Sequence, residues 1–154
     1  MQKSIYTIGY EGAPIEALIA RLKAADVKVL IDVRAVPLSR KPGFSKNKLA
    51  AALAIEDIAY VGLKGLGTPA EGREAARKGN ITKMRAIFKK HLKTQWAVRE
   101  MAEAIKMAEL QSCCLLCFEH HPQDCHRLCV AEHIAAQTRQ KIEHLNPIVN
   151  LFAS

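Results

Sequence analysis

Aromatic side chains are scarce in this chain: Phe, Trp and Tyr make up 5% of 154 residues. With 49% hydrophobic residues, the core has to be built mainly from Leu, Ile, Val and Ala. No apolar run approaches the roughly 18 residues that suggest a membrane-spanning helix, so no membrane partner is expected. The N-terminus enters a strand-like pattern at once. It lacks the apolar segment and small-residue cleavage site of a signal peptide, so a cytoplasmic location is expected. Cysteine is limited to five residues, an odd number, and Cys113 and Cys114 are adjacent. That pattern excludes the spaced disulfide framework of a small secreted fold, and reduced thiols are the expectation. Internal repeats, low-complexity tracts and a composition break are also missing. One α/β domain over residues 1–154 follows from this length and composition.

What the chain does have is positive charge, +8 in formal terms. Such an excess favours anionic partners, either a phosphate-bearing small molecule or nucleic acid; the plainer reading is a soluble basic surface. The pattern along the chain alternates strand and helix. Ser4–Gly9 alternates polar and apolar residues and reads as a strand. Residues 14–25 carry Ile15, Leu18, Ile19 and Leu22 at helical spacing, and Val27–Val33 is a β-branched run. Together they form a βαβ unit, which implies a parallel sheet. A Pro-, Gly- and Lys-rich loop follows from Arg34 to Asn47, then a helix near 45–53 and a short strand near 58–61. The glycine-rich stretch 62–79 reads as a surface segment with at most a short helix. Helices near 81–93 and 95–110 lead to the wholly apolar strand Cys113–Phe118, with Trp96 expected to anchor the second helix to the core. A helix over Cys125–Gln137, N-capped by Asp124, and a strand at 142–145 complete the order. The fold class is an open, mostly parallel, doubly wound (Rossmann-like) sheet with helices on both faces.

In such sheets ligands bind beyond the carboxyl ends of the strands. Three of these ends are chemically loaded. The first carries Tyr10 and Glu11 between Gly9 and Gly12. The second carries Asp32 and Arg34, two residues apart and therefore on one face; Ser39 lies in the basic loop beyond. Asp32 closes an apolar run and needs a partner. The third carries Cys117 and Glu119, again on one face, followed by Cys125, His126 and Arg127. If Asp124 caps the helix, Cys125 sits in its first turn, where free N–H groups favour a thiolate; the alternative is a small buried filler. A cation at Arg127 opposes the helix dipole, so either a carboxylate (Glu119 or Asp32) or a bound anion should offset it. The expected catalytic set is Cys117, Glu119, Cys125, His126 and Asp32. The expected anion-binding set is Tyr10, Glu11, Arg34, Ser39 and Arg127.

Cys114, Cys117, Cys125 and Cys129 have a C-x2-C-x7-C-x3-C spacing that superficially suggests zinc. Positions 114 and 117 lie on opposite sides of a strand, with Leu115 and Leu116 between them where a metal knuckle needs a turn. A more coherent set is Cys117, Glu119, Cys125 and His126, or a subset. No metal is assigned on spacing alone, and the sequence specifies no cofactor.

Taken together, Thr7–Gly12, Asp32-Val33-Arg34 with Pro37 and Ser39, Gly43-Phe44, Leu66-Gly67, and Cys117-Phe118-Glu119 through Cys125-His126-Arg127 resemble the domain-of-unknown-function family 488. The resemblance implies an α/β domain and supplies no reaction. Asp32-Val33-Arg34 is also similar to the early strand of rhodanese-type sulfurtransferases. The likeness ends there, because no C-x5-R phosphate loop starts from Cys117 or Cys125.

Overall fold

The apolar runs become neighbouring strands of one sheet in a computed structural model that describes residues 2–148. The single-domain expectation also extends over residue 1 and residues 149–154, which lie outside the described residues. The strands are β1 (Ser4–Gly9), β2 (Val29–Asp32), β3 (Ala59–Gly62), β4 (Cys113–Cys117) and β5 (Lys141–Leu145). They lie in the order β3-β2-β4-β1-β5, and every neighbouring pair is parallel. The most apolar run takes the middle place: all five residues of β4 are buried, whereas β3 and β5 at the edges are largely open.

Helices cover both faces. α1 (Ile15–Ala24) and α2 (Lys46–Ile55) pack Leu18, Leu22, Leu49 and Leu53 against Ile8, Leu30 and Leu116. On the other face lie α4 (Ile81–His91), α5 (Gln95–Leu110) and α6 (Arg127–Thr138). They pack Phe88, Ala104, Ala108, Val130 and Ile134 against Ile5, Ile31 and Leu115. The expected Rossmann-like α/β sheet is therefore found, parallel throughout. Its topology also places the site. The chain leaves β1 for α1 on one face, and leaves β4 for α6 on the other. β1 and β4 are neighbours, so their connections diverge and open a crevice at the topological switch point.

One local expectation is sharpened and two change. The glycine-rich stretch 62–79 contains a 3-10 turn, Lys64–Leu66, and a helix, α3 (Ala70–Arg77). Gly72 belongs to α3, where a Cβ would run into the Thr68 side chain, so it serves packing and not a loop. Trp96 does not anchor α5 to the core. It is 53% exposed, with its ring edge-on to His91. Finally, α6 begins at Arg127, two residues later than expected. Asp124 ends a short 3-10 turn (Pro122–Asp124), Cys125 is extended, and His126 occupies the cap position without a side-chain capping bond. Cys125 is therefore not in the first helical turn.

Candidate functional site

Because β2, β4 and β1 are adjacent, their carboxyl ends meet. The three loaded strand ends are joined by hydrogen bonds. Main-chain N–H groups of Tyr10 and Glu11 donate to the carbonyls of Cys117 and Phe118, and the Glu11 carboxylate accepts the His120 N–H at 2.9 Å. Gly9 makes the approach possible: a Cβ there would collide with the Glu119 carbonyl and with Arg127 Nη1. The result is a cleft of about 310 Å³ whose lining includes Tyr10, Arg34, Cys117, Glu119, Cys125 and His126.

On one side, Asp32 has the partner that its burial demands. Arg34 grips it in a two-pronged ion pair, Nε to Oδ1 at 2.9 Å and Nη2 to Oδ2 at 2.7 Å, and Tyr60 donates its hydroxyl to Oδ2 at 2.5 Å. Burial by itself would lower the pKa of Arg34, but hydrogen bonds to and the charge of Asp32 outweigh it and raise it. Burial, reinforced by Asp32, raises the Tyr60 phenol as well. Nη1 of Arg34 donates to the Tyr10 hydroxyl at 3.2 Å, and the Tyr10 ring stacks on Phe44 at 4.4 Å. Asp32 and Arg34 thus neutralise each other and fix the loop beyond β2.

Arg127 is the largest fully buried side chain among the described residues. Its partners are neither of the carboxylates expected. Asp32 is taken by Arg34, and the guanidinium turns instead to the turn after β4. Nη1 bonds the Glu119 carbonyl at 2.5 Å and Cys117 Sγ at 3.4 Å, and Nη2 bonds the His120 carbonyl at 3.2 Å. Nε is buried without a partner among the described residues. Burial pulls this guanidinium down to about 10, so it remains charged at neutral pH. The cation at the helix start is therefore offset by carbonyl dipoles pointing at it.

The thiols meet beside that charge. Cys117 and Cys125 bring their sulfurs together from Cα atoms 7.3 Å apart, while Cys113, Cys114 and Cys129 stand apart from them. The return of the chain through 118–125 lays one sulfur beside the other. Burial pushes the Cys113 thiol up to about 12 and raises Cys114 and the half-buried Cys129 as well, which disfavours thiolate at all three. Cys117 Sγ lies 3.6 Å from Glu119 Oε2, and burial raises the proton affinity of that carboxylate. The Arg127 main-chain N–H points at Cys125 Sγ at 3.5 Å.

His126 completes the floor of the cleft. Burial lowers its pKa to about 4, against the raising effect of its bond to Val33, so the imidazole is neutral at physiological pH. Nε2 lies 2.7 Å from the Val33 carbonyl. A carbonyl only accepts, so Nε2 carries the proton and Nδ1 keeps its lone pair. Nδ1 lies 3.6 Å from Cys125 Sγ. Cys117 Sγ, Cys125 Sγ and a His126 ring nitrogen gather within 4.8 Å, a grouping able to hold a metal ion. Glu119 stands beside this trio and is not one of it.

Ser39 lies elsewhere. Its hydroxyl accepts the Lys41 N–H at 3.1 Å in a second cleft of about 800 Å³, lined by Arg40, Lys41, Lys46, Lys48 and Lys64 and by no carboxylate. The two clefts share Ala35 and Val36. Sequence reasoning missed Arg73 and Arg77, which line the first cleft from α3. Their i, i+4 spacing was the available signal, passed over because the stretch was read as a surface segment with at most a short helix. It also missed the Val33 carbonyl and Tyr60, whose roles depend on contacts distant in sequence.

Searches of curated proteins and of solved structures find no match to this chain. The family model for a domain of unknown function, DUF488, matches residues 14–134, a span that includes Asp32, Arg34, the Cys117–Cys125 pair, His126 and Arg127. The chain belongs to this DUF488 family.

Proposed function

We propose that the protein is an enzyme acting on an anionic substrate, a phosphorylated small molecule or nucleotide, at the switch-point crevice. One observation carries this reading: a basic cleft with no carboxylate in its described lining adjoins the cleft that holds Cys117, Cys125, Glu119 and His126, the two sharing Ala35 and Val36. The negative part of the substrate lies among Lys41, Lys46, Lys48 and Lys64. Its reacting part reaches Cys117 and Cys125, in the cleft that Arg73 and Arg77 also line. Glu119 and the Nδ1 of His126 stand beside the sulfurs, at 3.6 Å in each case, and are the groups placed to exchange a proton there. Asp32 orients Arg34, and Tyr10 and Glu11 hold the loops that frame the mouth.

The test is calorimetric titration of the reduced protein with inorganic phosphate and with adenosine monophosphate. Saturable binding is expected, and each lost charge-assisted contact should weaken it by about tenfold or more, as in Lys46→Gln or Arg77→Ala. Absence of binding by either ligand at low salt would sink the reading.

A second reading, a module for single-stranded nucleic acid, is favoured by one specific feature. Exposed Trp96 shares a smaller cleft with Lys46 and Lys64, which is the pairing of stacking ring and cations that single strands use. Because Trp96 is the sole tryptophan, its fluorescence reports directly on base stacking. Quenching by an oligonucleotide that salt reverses supports this reading; unchanged fluorescence with a bound nucleotide supports the enzyme.

A further inference from the structure

We propose that Cys117, Cys125 and His126 form a binding site for a zinc-class divalent ion on the floor of the cleft. The inference rests on the reading of this cleft as the reaction centre, but not on which substrate enters it. Two sulfurs and an imidazole nitrogen gathered within 4.8 Å make a borderline-soft donor set, suited to zinc and unsuited to magnesium or calcium. The imidazole is already in the required tautomer. Its Nε2–H is held by the Val33 carbonyl, and its Nδ1 lone pair faces the sulfurs. A carbonyl behind the ring is the usual outer partner of a metal-bound histidine.

The sulfurs are prepared in the same way. Cys117 Sγ receives Arg127 Nη1, and Cys125 Sγ receives the Arg127 main-chain N–H. Both donors favour thiolate, the form that binds metal. The backbone spacing also suits the ion. A Cα–Cα distance of 7.3 Å exceeds the roughly 4.4–6.8 Å usual for disulfides. Two tetrahedral Zn–S bonds of about 2.3 Å hold their sulfurs roughly 3.8 Å apart, which this wider spacing accommodates. Three protein ligands that line a cleft leave a fourth position, for Glu119 or for a molecule entering the cleft. That is the pattern of catalytic zinc, where structural sites close all four positions.

Loading requires the reduced pair. A phosphine reductant opens the S–S bond: the phosphorus supplies two electrons and leaves as its oxide, with water giving the oxygen and the two thiol protons. The ion then displaces those two protons and joins both thiolates. The oxidised pair holds no metal, so the site is empty whenever the S–S bond is closed.

The test is cobalt(II) titration of the full chain after phosphine reduction, with all five thiols counted first. One equivalent should saturate an intense sulfur-to-cobalt charge-transfer band and tetrahedral visible bands, and zinc should abolish both. His126→Ala should keep the charge-transfer band but weaken binding by about tenfold or more. No band from fully reduced, natively folded protein would overturn the proposal. So would a band that persists when Cys117→Ser and Cys125→Ser are combined, since its sulfurs would then be core thiols. The titration contains no phosphate or nucleotide. Its failure leaves the anionic-substrate reading standing, and failure of phosphate binding leaves the metal site standing.

Discussion

Arg127 holds the turn after β4 in place with one guanidinium, bonding the Glu119 and His120 carbonyls and Cys117 Sγ. Replacing it with Leu leaves those carbonyls unpaired in a buried site. Arg127→Leu should lower stability by about 3 kcal/mol, read as a reduced urea midpoint at unchanged slope. Arg127→Lys should recover only part of this, because an ammonium lacks the planar fork. Asp32→Asn tests the other buried charge. It leaves Arg34 without its carboxylate and should cost about 3–5 kcal/mol in the same measurement. Gly9→Ala forces a methyl group into the Glu119 carbonyl and should cost about 3 kcal/mol. Gly12→Ala, where φ is +80° and an added Cβ would meet only Ile148 Cδ1 at an ordinary 3.5 Å, should cost only about 1 kcal/mol. Equal effects at the two glycines would contradict the close approach at Gly9.

The elements were legible wherever periodicity was strong. β4 announces itself as a wholly apolar run and takes the centre of the sheet, and α5 spans the expected residues 95–110. Strand alternation also placed Asp32 with Arg34, and Cys117 with Glu119, and both pairs meet in space. What was not legible depended on local chemistry that competes with pattern. Gly72 left the short helix expected within 62–79 without fixed bounds, although glycine there relieves crowding against Thr68 inside α3. Asp124 resembles an N-cap, but its residue closes a 3-10 turn started by Pro122, which delays α6 to Arg127. The partner of Arg127 was beyond reach for a different reason: main-chain carbonyls leave no mark in a sequence. Where capping chemistry was genuine it can be measured. The Asn80 side chain accepts the Lys83 N–H at the start of α4, so Asn80→Ala should cost about 1 kcal/mol in thermal or urea unfolding.

At the scale of the molecule, the parallel order β3-β2-β4-β1-β5 gathers at one crevice residues more than a hundred positions apart in sequence. The same order sets the basic loop after β2 beside the thiol cleft, and the two clefts share Ala35 and Val36. The most direct test joins the two halves. In reduced, metal-free protein, alkylation of Cys117 and Cys125 by iodoacetamide is followed by peptide mass spectrometry with and without saturating adenosine monophosphate. The nucleotide should slow alkylation of both cysteines by about tenfold, and the Lys46→Gln, Lys48→Gln double variant should lose this protection at the same nucleotide concentration. Alkylation at the same rate with and without bound nucleotide would contradict the anionic-substrate reading.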